Sequence, residues 1–284
     1  MTDRVTVVIV NYNAGAWLAR CVGALLDSPD PPALIVFDNA SSDNSLAELP
    51  ADQEIQVVRS DRNRGFGQGV NRAMENVTTP AVLVLNPDCL INSLALGRLV
   101  EILEADDGLA MVGGRVFNAD GSEQRASRRR LPTPSRVINE FIPSRRRAGL
   151  GVDLSDTPAP EVALDVEALS GACMLIRTRP FRQLGGFDEG FRMHFEDLDL
   201  MARLGKAGWR IRLVPEVIVE HAGGVSSRQR RLAVHWAKHA SLWRYLVLHC
   251  RDEWPVWSRP AWAIALWAHA VILAPIVWLR GRLP

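Results

Sequence analysis

Four short apolar runs punctuate the first third of the chain, at residues 5–10, 34–37, 55–58 and 81–85, each rich in Val, Ile or Leu. Segments with helical spacing of apolar residues, such as 16–26 and 67–75, fill the intervals. Runs that are apolar at consecutive positions predict strands covered on both faces. Their alternation with helices predicts an α/β domain built on a mostly parallel sheet flanked by helices. Such sheets take ligands at the carboxyl ends of their strands. Three of those ends are polar here: Asn11-Tyr12-Asn13, Asp38-Asn39-Ala40-Ser41-Ser42 and Asn86-Pro87-Asp88. Any one of them could be a turn or a helix cap. Three facing one crevice predict a shared ligand site.

Further along, residues 166–177 read as a strand pair or one long strand, and 209–214 alternate polar and apolar as a half-buried strand does. Residues 217–221 form another strand, which His221 ends in front of Gly223-Gly224. Between the halves, 125–147 holds eight arginines and one acid, Glu140, and is interrupted by Pro132, Pro134 and Pro143. It reads as a long basic loop, either solvated or gripping phosphate or anionic lipid. Residues 261–279 carry no charge, and five of the nine tryptophans fall between Trp254 and Trp278. Nineteen residues without a charge, His269 and Pro275 among them, flanked by Arg259, Arg280 and Arg282, predict a hydrophobic helical tail that lies on or enters a membrane; the rival is a helix packed on the core or on a dimer partner.

Composition changes little. A formal net charge of +1 gives no reason to expect nucleic-acid binding. The four cysteines, at 21, 89, 173 and 250, are isolated, with no CxxC pair and no spacing to histidine of the kind that suggests a zinc site or a disulfide framework, which suits a reducing compartment. The start of the chain is too short in apolar length for a signal sequence.

Two groups carry candidate chemistry. Glu196, Asp197 and Asp199 gather at the start of a predicted helix. Acids in a first turn also favour the helix dipole, and Asp199 with Arg203 has the spacing of a surface pair. Asp88 and His221 could hold a divalent cation beside a diphosphate. The glycines of Asn63-Arg64-Gly65-Phe66-Gly67-Gln68-Gly69-Val70-Asn71 match neither a dinucleotide fingerprint nor a Walker A loop, and are read as allowing close backbone approach to a base or sugar.

Taken in order, Val-Asn-Tyr-Asn (10–13), Asp-Asn-Ala-Ser-Ser-Asp (38–43), the 63–71 glycine segment, Leu-Asn-Pro-Asp (85–88), Gly-Gly-Phe-Asp-Glu-Gly-Phe (185–191), Phe-Glu-Asp-Leu-Asp-Leu (195–200) and His221 resemble the family 2 glycosyltransferases, and most of all their bacterial rhamnosyltransferase-like branch. The resemblance implies a GT-A fold and inverting transfer of a sugar from a nucleotide diphosphate, dTDP-L-rhamnose being the expected donor, to a lipid-linked or polysaccharide acceptor. It implies that Asn11, Asn13, Asp38, Asn39, Asn63, Arg64 and Gly65 hold the nucleoside, with Asn86 and Asp88 at the diphosphate. Asp88 and His221 would bind Mg²⁺ or Mn²⁺, weakly, because Asn86 replaces the first acid of the family's DxD. Asp197 would be the general base and Glu196 would orient it or the acceptor.

The expected organisation is a catalytic domain over 1–227, divided into a nucleotide-sugar half (1–117), the basic loop (118–150) and an acceptor half (151–227), followed by a membrane-associating region over 228–284 at the inner face of the cytoplasmic membrane. Two alternatives stay open: a sugar-nucleotide nucleotidyltransferase, and a degenerate transferase serving as a non-catalytic assembly subunit.

Overall fold

The computed structural model describes residues 1–50, 54–223 and 231–280. The expected boundary at 227, and Gly224, lie outside them. The parallel strands are β1 (Val5–Asn11), β2 (Ala33–Asp38), β3 (Ile55–Arg59) and β4 (Ala81–Leu85), in the order β3-β2-β1-β4. Helix α1 (Ala16–Leu26) joins the first two, and α2 (Phe66–Ala73) precedes the fourth. The sheet continues through β10 (Cys173–Arg177), antiparallel to both its neighbours, to β6 (Leu109–Phe117) and β11 (Arg210–His221), which pair in parallel; β5 (Cys89–Leu90) and β8 (Leu164–Asp165) add antiparallel edges to β11. Among the described residues this makes one sheet of nine strands, with a separate ribbon of β7 (Arg128–Arg129) and β9 (Ala168–Leu169).

Side chains of β1 alternate across the sheet. Val5, Val7 and Ile9 join the core under α1 and α3 (Ser93–Glu104), whereas Val8 and Val10 join the core under α2, α7 (Glu196–Lys206) and α8 (Arg231–His249). The strand pair expected over 166–177 is β9 and β10, separated by Ser170-Gly171-Ala172. The two strands expected over 209–221 are one, β11, whose register against β6 shifts between Leu213 and Ile218. Gly114 lies opposite that irregularity, where a Cβ would overlap the Val217 carbonyl, so the bulge depends on the missing side chain.

Three expectations change. The segment 125–147 is not a loop: it contains β7, α4 (Pro134–Glu140) and α5 (Pro143–Arg147). Pro134 and Pro143 stand in the first turn of their helices, where a missing N–H costs nothing, so these prolines start helices instead of breaking one. Several of its arginines are committed to acids: Arg125 to Glu140 and Asp153, Arg128 to Glu123, Arg136 to Glu167 and Arg146 to Asp156.

Second, the region after 228 is not all membrane-associating. On α8, Ser241, Tyr245 and Leu246 are buried. The helix is fastened to the catalytic half by Arg244 to Asp188 at 2.7 Å, His249 to Asp199 at 2.7 Å and Ser241 Oγ to the Met193 carbonyl at 3.0 Å. Third, Asp199 is not on the surface. It keeps Arg203 at 2.6 Å, but α8 covers it and it is 2% exposed. Burial opposes its ionisation; the hydrogen bonds from His249 and Arg203 outweigh that and hold its carboxyl below the usual range. The apolar helix is α9 (Arg259–Arg280), which packs along α8 and leaves Ile264, Val271, Ile272 and Ile276 exposed.

Candidate active site

A cleft of about 900 Å³ opens at the carboxyl ends of β1, β2 and β4, and both candidate groups line it: Asn86, Asp88 and His221 on one wall, Glu196 and Asp197 on the other.

On the first wall, Asp88 Oδ1 lies 3.1 Å from His221 Nε2 because β5 and β11 pair directly, Cys89 opposite His221. The orientation of the imidazole is set from behind. Gln124 Nε2 donates to Asn118 Oδ1 at 3.0 Å and to the His221 carbonyl at 3.4 Å, which leaves Gln124 Oε1 as acceptor for His221 Nδ1–H at 2.7 Å. A proton therefore sits on Nδ1, which leaves Nε2 as the nitrogen able to turn a lone pair to a cation beside the carboxylate oxygen. Two adjacent acceptor atoms of this kind fit a shared divalent cation, with waters or ligand oxygens completing the shell. Cys89 lies within the same cluster but takes no part in it: burial pushes its thiol well up, and its Sγ donates to the Ala172 carbonyl. Asn86 Nδ2 sits 3.4 Å from His221 Nε2, and a neutral amide cannot replace a second metal carboxylate.

The expected nucleoside residues divide in two. Asn39, Asn63 and Gly65 line the cleft as a connected set: Asn39 Nδ2 donates to Asn63 Oδ1 and to the Gly65 carbonyl, and Asn39 Oδ1 accepts from Arg64 N. Asn11, Asn13, Asp38 and Arg64 do not line it. Asn11 is fully buried and donates to Asp38 Oδ1, Ser41 and Ser45, so it braces the ends of β1 and β2. Asn13, in left-handed backbone at φ 51°, accepts from Ser42 N. The Arg64 guanidinium turns outward to Asp61 at 2.7 Å and Ser60 at 2.9 Å.

The glycine segment also differs from its reading. A Cβ at Gly69 would stand 2.9 Å from Val10 Cγ1, and one at Gly67 would stand 3.2 Å from Phe187 Cβ. These two glycines let α2 close onto the sheet and the neighbouring loop, and only Gly65, at φ 86°, borders the cleft.

The second wall is assembled from distant parts of the chain. Glu196 and Asp197 open α7, entered through His194 and Phe195, both left-handed at φ 63° and 69°. Pairing of β7 with β9 carries Arg129 to the Leu169 carbonyl, which accepts from Arg129 Nε at 2.9 Å. From there Arg129 Nη2 donates to Asp197 Oδ2 at 2.5 Å, while Asp197 Oδ1 accepts from Leu198 N at 2.8 Å. Gly171 backs the same carboxylate so closely that a Cβ there would overlap it. Asp197 is thus an oriented carboxylate with lone pairs left to accept a proton.

Glu196 is its opposite. Burial, then the Asp197 charge beside it, push its carboxyl up to about 8, and its Oε2 is buried with no hydrogen-bond partner among the described residues. At neutral pH it is a protonated acid, able to donate. His194 and Lys238 also line the cleft; the surrounding protein, then the Lys238 charge, lower the pKa of His194, whose side chain nevertheless stays exposed to solvent. Arg129, Gln124, His194 and Lys238 were not singled out in the sequence. Only the density of arginines over 125–147 pointed at one of them.

Comparison with known proteins agrees with this geometry. The model of the glycosyltransferase-like family 2 matches residues 3–243 and so ends within α8. The chain is 30% identical to the N-acetylglucosaminyl-diphospho-decaprenol L-rhamnosyltransferase of Mycobacterium tuberculosis, over 99% of this chain and 97% of that one. It is 31% identical to the rhamnosyltransferase WbbL of Escherichia coli over 53% of this chain and 58% of the relative. In fold it resembles the mannosyltransferase PcManGT of Pyrobaculum calidifontis, solved with GDP-Man and Mn²⁺, with a TM-score of 0.61 at 17% identity over 98% of this chain and 72% of that one. An α/β sheet with its polar cleft at the strand ends, an oriented carboxylate sharing that cleft with an acid–imidazole pair, and a family match over most of the length lead to one conclusion: the chain belongs to the family 2 glycosyltransferases.

Proposed function

We propose that this glycosyltransferase moves L-rhamnose from dTDP-L-rhamnose, with inversion, onto a hydroxyl of a lipid-diphosphate-linked glycan at the inner face of the cytoplasmic membrane. The observation that carries the reaction type is the pairing of Asp197 with Arg129 in the same cleft as the Asp88–His221 pair. In this reading the acceptor oxygen attacks the anomeric carbon, the bond from that carbon to the diphosphate oxygen breaks, and the acceptor proton passes to Asp197. Arg129 holds the carboxylate in place through the transfer. Asp88 and His221 Nε2 would hold a divalent cation, whose chemistry is to neutralise charge on the departing diphosphate. The mixed nitrogen and oxygen donor set favours Mn²⁺ over Mg²⁺, which prefers oxygen alone. Asn39, Asn63 and Gly65 border the space for the nucleoside. The rhamnosyl donor and lipid-linked acceptor are supported by the M. tuberculosis relative, aligned over nearly the whole of both chains. Membrane association is supported by the span Val256–Leu279, whose mean hydropathy is 1.9, and its exposed apolar side chains.

Thermal unfolding in the presence of dTDP, UDP or GDP, with and without Mn²⁺, tests the donor and the metal together. The largest stabilisation is expected for dTDP with Mn²⁺; a ligand at a hundred times its Kd adds about 2.7 kcal/mol. A larger shift with UDP or GDP would remove the thymidine assignment. Binding without transfer from any nucleotide sugar would return the chain to a non-catalytic assembly role.

A further inference from the structure

Beside the cleft, the α4–α5 hairpin carries an exposed apolar surface. Ile138 is 46% exposed, Phe141 58% and Leu150 49%. A single exposed apolar side chain is ordinary on a protein surface, but three in one hairpin mark a contact. Beside them, in the last turn of α5, stand Arg145 and Arg147, both exposed; among the described residues neither has a carboxylate partner. The surface does not stop at the hairpin. The Phe141 ring meets His269 of α9 edge-on, centroids 4.7 Å apart, so the apolar patch runs on into the exposed face of α9. Phe141 and Glu140 also line the cleft.

We infer that the α4–α5 hairpin is a second membrane contact, seating Ile138, Phe141 and Leu150 in the interface of an anionic bilayer with Arg145 and Arg147 against lipid phosphates. The inference rests on the reading that the acceptor is lipid-linked. Apolar side chains flanked by free cations are the signature of an interfacial element buried about 5–10 Å into the headgroup boundary. Charge decides between a bilayer and a second copy of the chain as the occupant: a two-fold contact through this patch would bring one set of unpaired arginines toward another, whereas anionic headgroups neutralise them. The consequence is geometric. With α9 and the hairpin both at the interface, Phe141 places the mouth of the cleft at the membrane plane, and an acceptor sugar reaches Asp197 while its lipid stays in the bilayer.

The full-length chain allows a selective test, because its four native cysteines are all buried. Ile138→Cys, and separately Leu150→Cys in case the first fails to fold, would carry an environment-sensitive dye. Leu94→Cys is the reference, 84% exposed at the start of α3 under the other face of the sheet. With phosphatidylcholine vesicles containing phosphatidylglycerol, the hairpin dye should shift to the blue and the reference dye should not. Arg145→Ala with Arg147→Ala should raise the vesicle concentration needed for half the shift by roughly tenfold or more. The inference is overturned if the protein floats with vesicles while the hairpin dye keeps its emission in water, if the shift is the same without anionic lipid, or if the dye is already shielded in a concentration-dependent way without vesicles. Transfer to a water-soluble acceptor analogue by the same labelled protein reports on the catalytic reading separately; its loss would count against that reading and not against the hairpin.

Discussion

The two walls of the cleft are built by different means. The wall with Asp88, His221 and Asn39 is made where strands end, and the side chains that line it brace one another, Asn39 with Asn63 and His221 with Gln124; beneath it Asn11 donates to Asp38 while its own Oδ1 is buried without a partner among the described residues. The wall with Glu196 and Asp197 joins β7, β9, α7 and α8 across long stretches of sequence, and it keeps a buried carboxyl oxygen without a partner. A wall whose lining side chains hold one another in place suits a ligand whose shape is constant, such as a nucleoside diphosphate. A wall with a spare donor and an oriented base suits the partner that reacts. The lesson is that preorganisation takes two forms: side chains braced by one another where binding is needed, and one carboxylate fixed beside an unpaired acid where a proton must move.

Substitutions on the two walls should therefore fail differently. The largest effect belongs to the reacting wall: Asp197→Asn keeps shape and hydrogen-bonding capacity but cannot take the acceptor proton, so kcat should fall about 10²- to 10⁴-fold with donor binding unchanged, read by steady-state transfer alongside nucleotide titration. Near wild-type turnover would take the base away from Asp197. Next, on the binding wall, Asp88→Asn should raise the Mn²⁺ concentration for half-maximal activity at least tenfold while the dTDP affinity measured without metal stays the same; equal loss with and without metal would mean that Asp88 is only structural.

The smallest effect is a pH slope. The Glu196 carboxyl is raised in the folded protein, so the stability it contributes is full below its unfolded pKa and is lost as pH rises toward about 8. Glu196→Gln removes that slope: relative to wild type the variant should gain a few degrees in Tm between pH 5 and pH 8. An unchanged difference across that range would show that Glu196 ionises normally. Because the acid is already protonated at neutral pH, turnover at pH 7 should change little.

The same contrast explains what the sequence disclosed. Strand ends are local: a run of consecutive apolar residues followed by Asn, Asp and Ser places Asn39 and Asp88 without knowledge of the rest of the fold, and the expected helix at 16–26 coincides with α1. Arg129 and Asp197, 68 residues apart, meet only because a two-residue ribbon pairs β7 with β9, and no periodicity announces so short a pairing. Asp199 looked like half of a surface pair because the i,i+4 spacing is the same on an exposed helix and under a covering one; α8 decides, from fifty residues away. Pro134 and Pro143 were read as interruptions since a proline without its neighbours does not reveal whether it stands inside a helix or at its start. In the glycine segment the chemistry-minded reading was the weaker one: Gly67 and Gly69 answer to the packing of α2, where they are in contact with Phe187, Val10 and Phe37.

Gly171 bears on how relatives of this chain should be sorted. It borders the cleft without a side chain of its own, and the Asp197 carboxylate occupies the space that any side chain at 171 would fill. A relative could keep every acid and the histidine and still have lost its base position through one methyl group. Alanine at this position would therefore be a mark of retirement, separating working transferases from silent copies that retain the full set of signature residues.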